Sequence, residues 1–170
     1  MCELTSGYSK LCDTAGGVAT VYGLDTKSIA TVTVTAGKIT AFTMKPGKYI
    51  YPFYVEMETA TFTDDAIGER ANGAYARQQT GTLVLHGNTE EMIVQLEDLA
   101  QGRSTWMYEL NDGTMEVLFL KNGAKSTDSR TPGTAFEDMN GNTLTLNGKE
   151  RNKAPKIEAS LIAAYLAPTS

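Results

Sequence analysis

The chain has 170 residues, 41% hydrophobic and 21% charged, with fifteen Lys and Arg against twenty Asp and Glu for a net charge of −5. That length is one domain's worth of core. The acidic balance argues against a general nucleic-acid binder, which needs a basic face to displace counterions. No stretch approaches the roughly 18 to 20 apolar residues of a membrane-spanning helix, and Met1–Ser6 shows no basic-then-apolar leader. The expectation is a single domain over 1–170, made in the cytoplasm, without a membrane partner.

In chain order, strand signals dominate. Val18–Gly23 opens a run, and Ile29–Thr35 alternates apolar residues with Thr, which predicts a strand with one face buried. Ala36-Gly37-Lys38 turns it into Ile39–Met44 as a hairpin, and Lys45-Pro46-Gly47-Lys48 forms another turn. Tyr49–Phe62 reads as one long extended segment. Pro52, which has no N–H for a ladder, must sit there at an edge or a bulge. Asp64–Gly73, with two glycines and several charges, reads as a long hairpin loop or arm leading into a strand over Ala74–His86.

One amphipathic helix follows. Asn88 is placed as N-cap with Glu91 completing a capping box, and Met92, Ile93, Leu96, Leu99 and Ala100 form an apolar stripe. Gly102 takes the C′ position, and Glu90, Glu91, Glu97 and Asp98 stay on the wet side. Trp106–Leu110 and Met115–Leu120 flank an Asp112-Gly113 turn as a hairpin. Lys121–Ala135 reads as a long polar surface loop. Asn142–Asn147 alternates as a strand between Asn140-Gly141 and Asn147-Gly148 turns. After Pro155, Lys156–Ile162 reads as a closing strand, with a short helix from Glu158 to Leu166 as the alternative. The fold class expected is mainly β: an antiparallel β-sandwich or half-barrel with one mid-chain helix and long protruding loops.

Catalytic and metal motifs are sparse. His86 is the one histidine and Cys2 and Cys12 the only cysteines, too few for a four-ligand zinc site. His86 ends an apolar strand, where a structural or interface role is the plain reading, and nothing local activates Cys12 for a Cys12–His86 dyad. In a cytoplasmic product the two thiols are expected to stay free. Ala15-Gly16-Gly17-Val18 lacks the lysine and the spacing of a phosphate loop. Asp138–Asn142 lacks the ligands of a calcium loop and reads as a tight turn. The adjacent pairs Asp64-Asp65, Glu90-Glu91 and Glu97-Asp98 share no face on which two carboxylates could act together. The expectation is a protein that is not an enzyme and carries no cofactor or metal.

From Leu83 to Pro155, a little under half of the chain, the order is capped helix, hairpin Trp106–Leu120 running into Lys121-Asn122-Gly123, and a loop with Thr131-Pro132-Gly133. It ends in Phe136-Glu137-Asp138-Met139-Asn140-Gly141-Asn142-Thr143-Leu144-Thr145-Leu146-Asn147-Gly148-Lys149-Glu150. With the antiparallel strands before it, that order resembles the tail tube proteins of bacteriophages and the tube proteins of contractile injection machines. The resemblance implies a virion structural subunit, assembled in the host cytoplasm, whose sheets join across copies into a ring, commonly hexameric. Such rings stack into a tube through which DNA passes without specific binding, in contact with other tail proteins. The subunit interface implied falls on the two loops, at Asp64, Asp65, Ile67, Glu69, Arg70, Lys125, Arg130 and Pro132. Two alternatives stand beside it: a head–tail connector or ring protein, and a carbohydrate-binding β-sandwich. For the latter, Tyr49, Tyr51 and Phe53 would share one face, with Trp106 as the lone tryptophan.

Overall fold

A computed structural model describes residues 6–7 and 16–168, with the backbone alone at Arg70; Cys2, Cys12 and Ala15, and with them the expected free thiols and the Cys12–His86 pair, lie outside the described residues. The chain is mainly β. Its strands are β1 (Val18–Asp25), β2 (Ile29–Thr35), β3 (Lys38–Met44), β4 (Tyr51–Phe53), β5 (Thr61–Ile67), β6 (Ala76–His86), β7 (Ser104–Leu110), β8 (Met115–Leu118), β9 (Lys125–Thr131), β10 (Gly141–Glu150) and β11 (Lys156–Ile157). Helix α1 spans Glu90–Gln101 and α2 spans Ala159–Ile162. Seven strands form one sheet in the order β2-β3-β11-β8-β7-β1-β4, and four form a second in the order β5-β6-β10-β9.

The two sheets face each other across one core. Val21, Trp106, Tyr108 and Leu118 of the larger sheet meet Leu83, Leu85, Leu144 and Leu146 of the smaller, with Leu96 of α1 closing the side. The other face of the larger sheet is covered by α2 and the 3-10 turn Ala163–Tyr165 over Ile39, Phe42, Met107, Val117 and Ile157. β7 therefore buries both of its faces, Trp106 and Tyr108 on one and Met107 on the other. Tyr108 stacks on Phe62 at 4.7 Å, and its hydroxyl donates to Glu116.

Several expectations are corrected. Tyr49–Phe62 is two strands in two sheets. The chain turns at Met57-Glu58, where Glu58 adopts φ +63° and Thr59 N–H donates to the Glu56 carbonyl. Pro52 sits on an edge strand, where its missing N–H costs no ladder bond. The arm expected over 64–73 begins later, because Asp64–Ile67 continue β5 against β6. The loop expected over 121–135 contains β9, whose polar sequence hid it: as an edge strand it buries only Ser126. β2 leaves both faces largely open, with only Ile29 and Val32 half-buried, because two register shifts break its alternation against β3. After Lys156–Ile157 the chain turns helical, so the helix alternative holds.

The Asn-Gly pairs at 140–141 and 147–148 are not turns. Gly141 and Gly148 lie within β10, where a Cβ would sit 2.3 Å from the Leu85 carbonyl oxygen and 2.7 Å from the Phe119 ring. Close approach of β6 at Gly141 and of the Phe119 ring at Gly148, and not turn conformation, requires glycine there. Helix α1 starts one residue late: Thr89 is the N-cap, its Oγ1 accepting from Met92 N–H at 3.3 Å. Ile93 and Ala100 are exposed, so the buried stripe narrows to Met92, Leu96 and Leu99. Gly102 caps the other end with extended backbone, not the left-handed conformation of a C′ glycine.

Candidate assembly surfaces and an aromatic cleft

The four-stranded sheet is built from antiparallel pairs throughout. Its inner face carries Phe62, Leu83, Leu85, Leu144 and Leu146. The alternate residues, which point away from the core, are mostly hydroxyls and amides. One row runs Thr61, Thr82, Thr145, Thr127 across all four strands, and the four are exposed. The next row runs Thr63, Thr80, Asn147, Lys125. Period-two threonines were visible in the sequence; that four strands bring them into common rows was not.

Both edges of this sheet, β5 and β9, pair with no further strand among the described residues. They are also staggered. β5 lies opposite residues 76–82 of β6, whereas β9 projects through β10 onto residues 80–86, a displacement of about four residues or roughly 13 Å.

The eight interface candidates divide accordingly. Asp64 points inward, with a side chain only 12% exposed. Its Oδ1 accepts from Arg77 Nε at 2.8 Å and Gln79 Nε2 at 3.4 Å, and its Oδ2 accepts from Ala154 N–H at 2.9 Å. That carboxylate pins the β5–β6 hairpin to the chain before β11, so it is a fold residue and is not presented to a partner. Asp65, on the opposite face of the strand, is exposed beside Gln78. Ile67 is half-buried at the end of β5. Glu69 accepts from Asn72 Nδ2 in the hairpin tip, where Arg70 opens a 3-10 turn. Lys125 is exposed on β9, on the same sheet face as Asp65. The Arg130 guanidinium donates to the Gly141 carbonyl at 3.0 Å and to Asn140 Oδ1 at 2.6 Å, holding the β9–β10 connection, and Pro132 is exposed beyond it. The edges thus carry Asp65 on β5 and Lys125 on β9 as oppositely charged groups with no ion pair among the described residues.

Large apolar side chains are exposed on the connections: Tyr54 and Met57 between β4 and β5, Tyr75 beside β6, and Phe136, fully exposed, between β9 and β10. Phe136 sits in a turn held by Asp138, whose Oδ2 accepts from Thr134 and Ala135 N–H at 2.8 Å each. Those bonds hold its carboxyl below the usual range. The tight turn expected over Asp138–Asn142 lies earlier, over residues 134–138 with Asp138 as its last residue, because Gly141 and Asn142 already belong to β10.

A separate cleft of about 430 Å³ lies between β4 and the C-terminal half of α1. Tyr49, Tyr51 and Phe53 line one side and Gln95, Asp98 and Leu99 the other, with Asp25, Lys48 and Arg103 around them. Gly23 lines it too, with Phe53 and Trp106 so close that a Cβ would meet the Phe53 ring at 2.9 Å. Trp106 is fully buried behind Phe53 at 4.7 Å, its indole N–H donating to Ser104 Oγ at 2.8 Å. The tyrosines were legible as a cluster in sequence. The residues from α1 and Arg103 join them only through the tertiary fold.

His86 ends β6 opposite Gly141, exposed. Among the described residues no group of three or more His, Cys, Asp or Glu side chains converges on a point, and no helix is long and apolar enough to cross a membrane. Compared with known proteins, the chain matches no family model, no curated protein and no solved structure.

Proposed function

We propose that the protein is a non-enzymatic structural subunit that assembles with copies of itself into a ring, in the manner of the phage tail tube proteins its sequence resembles. The observation that carries this reading is the pair of free, staggered edges on the four-stranded sheet. An even number of antiparallel strands leaves β5 and β9 running in opposite directions. Copies related by rotation about an axis inclined to the strands would therefore join β5 to β9 as a further antiparallel pair.

The stagger supports closure. Joining the seven residues of β5 to the seven of a neighbour's β9 advances each copy by four strands, roughly 19 Å across the sheet, and roughly 13 Å along it. In a ring that advance is purely circumferential, so the strands tilt by ~35° from the axis, the range in which closed barrels fall. The tilt does not depend on the number of copies. Closure would also remove the two exposed edges that a monomer otherwise leaves open to indiscriminate pairing.

In such a ring the hydroxyl-rich face would line the passage, since α2 covers the far side of the other sheet. A lumen of Thr, Asn and Gln with few charges offers a polyanion no basic track to adhere to. Rings stacked into a tube, with the exposed Phe136, Tyr75 and Met57 at contacts between copies and other tail proteins as partners, complete the proposal. Sedimentation velocity on the purified chain from micromolar to near-millimolar concentration tests it. Species at a fixed multiple of 18.3 kDa are expected, and a monomer across the whole range would contradict it.

A further inference from the structure

We propose that the cleft between β4 and α1 is a binding site for a short neutral saccharide, independent of the assembly reading above. Its lining includes Tyr49 and Tyr51, 43% and 49% exposed, and the half-buried Phe53. Partly exposed aromatic side chains lining a cleft suit a ligand that is itself apolar on one side and polar at its rim, as a pyranose ring is. Opposite them stand groups that bond hydroxyls in both directions: the Gln95 amide and the Asp98 carboxylate on α1, and Lys48 and Arg103 nearby.

The charges decide the ligand's class. Asp25 and Asp98 balance Lys48 and Arg103, and no ion pair joins any of the four among the described residues. An anion would meet two carboxylates and a cation two cationic groups. A polyol, whose hydroxyls both donate and accept, meets partners of both kinds. A cleft of about 430 Å³ accommodates one or two sugar rings. Room for the ring depends on Gly23, where any side chain would displace Phe53.

The test uses the full chain with cellobiose, maltose and N,N′-diacetylchitobiose, each raised to about 20 mM, a range suited to millimolar affinities. Binding is followed by emission of Trp106, the single tryptophan, which is packed against Phe53, and by amide shifts of Gly23, Tyr51, Gln95 and Arg103. Saturable changes with at least one sugar are expected. Tyr51→Ala and Gln95→Ala, both at exposed positions, should weaken that binding roughly tenfold, the scale of one lost stacking or hydrogen-bonding contact. Phe136→Ala, on a loop that does not line the cleft, should leave it unchanged. No response to any of the three sugars, binding indifferent to both cleft variants, or shifts that follow protein concentration instead of sugar would each overturn the proposal; the last would assign the cleft to a second copy.

Discussion

Thr61 and Thr127 occupy the same row and the same face of the four-stranded sheet, one on each free edge, linked through Thr82 and Thr145. From that row β5 runs on toward Ile67 in one direction and β9 toward Thr131 in the other. The sheet is therefore a parallelogram whose open sides are offset, and in the proposed ring it would repeat edge to edge with tilted strands.

Asp65 and Lys125 lie on those edges with opposite charge and no other ion-pair partner among the described residues. Paired over their full seven residues, β5 and a neighbour's β9 would set Asp65 diagonal to Lys125, so Asp65→Lys and Lys125→Glu are each expected to weaken self-association about twofold to threefold, the scale of a diagonal cross-strand charge pair worth about 0.5 kcal/mol. The double exchange should recover most of the loss. Sedimentation velocity of the four proteins checks this, and additive losses in the double variant would sink the β5–β9 junction.

Asp64 behaves differently from its neighbour. Its pair with Arg77 is 12% and 13% exposed, and it also accepts the Ala154 N–H. Asp64→Ala leaves a cation and a backbone donor without their acceptor, and is expected to cost about 3 kcal/mol in unfolding. Urea denaturation under monomeric conditions reads this. A loss confined to assembly, with unchanged stability, would return Asp64 to the interface.

These two adjacent carboxylates show how far the sequence was legible. Both read as part of a polar loop in the sequence, whereas the core strands, the mid-chain helix and the Asp112-Gly113 hairpin are readable from periodicity and turn chemistry. Gly113 adopts φ +81° as that turn requires. What periodicity could not reveal was depth: a charged residue inside a strand looks like a loop until its partner, Arg77, is brought across the hairpin. β9 was hidden for a related reason, since an edge strand that buries one serine has no apolar signature. At Gly141 and Gly148 a local turn signal yielded to long-range packing.

Gly141 offers a direct check of that last point. Gly141→Ala places a methyl group 2.3 Å from the Leu85 carbonyl oxygen, and is expected to destabilise the fold by about 3 kcal/mol through forced strand separation. A change below about 0.5 kcal/mol in chemical denaturation, typical of an open surface site, would mean that β6 and β10 do not approach so closely.

Tyr108 supplies a pH dependence. Burial, then its hydrogen bond to Glu116 and that carboxylate's charge, push its hydroxyl far above the ordinary value of 10. The folded state thus holds this proton more tightly than the unfolded one. The stabilisation is complete below pH 10 and falls as pH rises beyond it, with a slope approaching ~1.4 kcal/mol per pH unit. Tyr108→Phe should flatten that slope. Stability measured between pH 8 and 11 in both proteins decides it, equal slopes contradicting the assignment.

The central claim is closure of the four-stranded sheets into a ring, and the most direct test is negative-stain electron microscopy of the purified chain across a series of concentrations. Rings, or stacks of rings, with a central hole are expected. Uniform particles of single-chain size at every concentration would contradict spontaneous closure through β5 and β9.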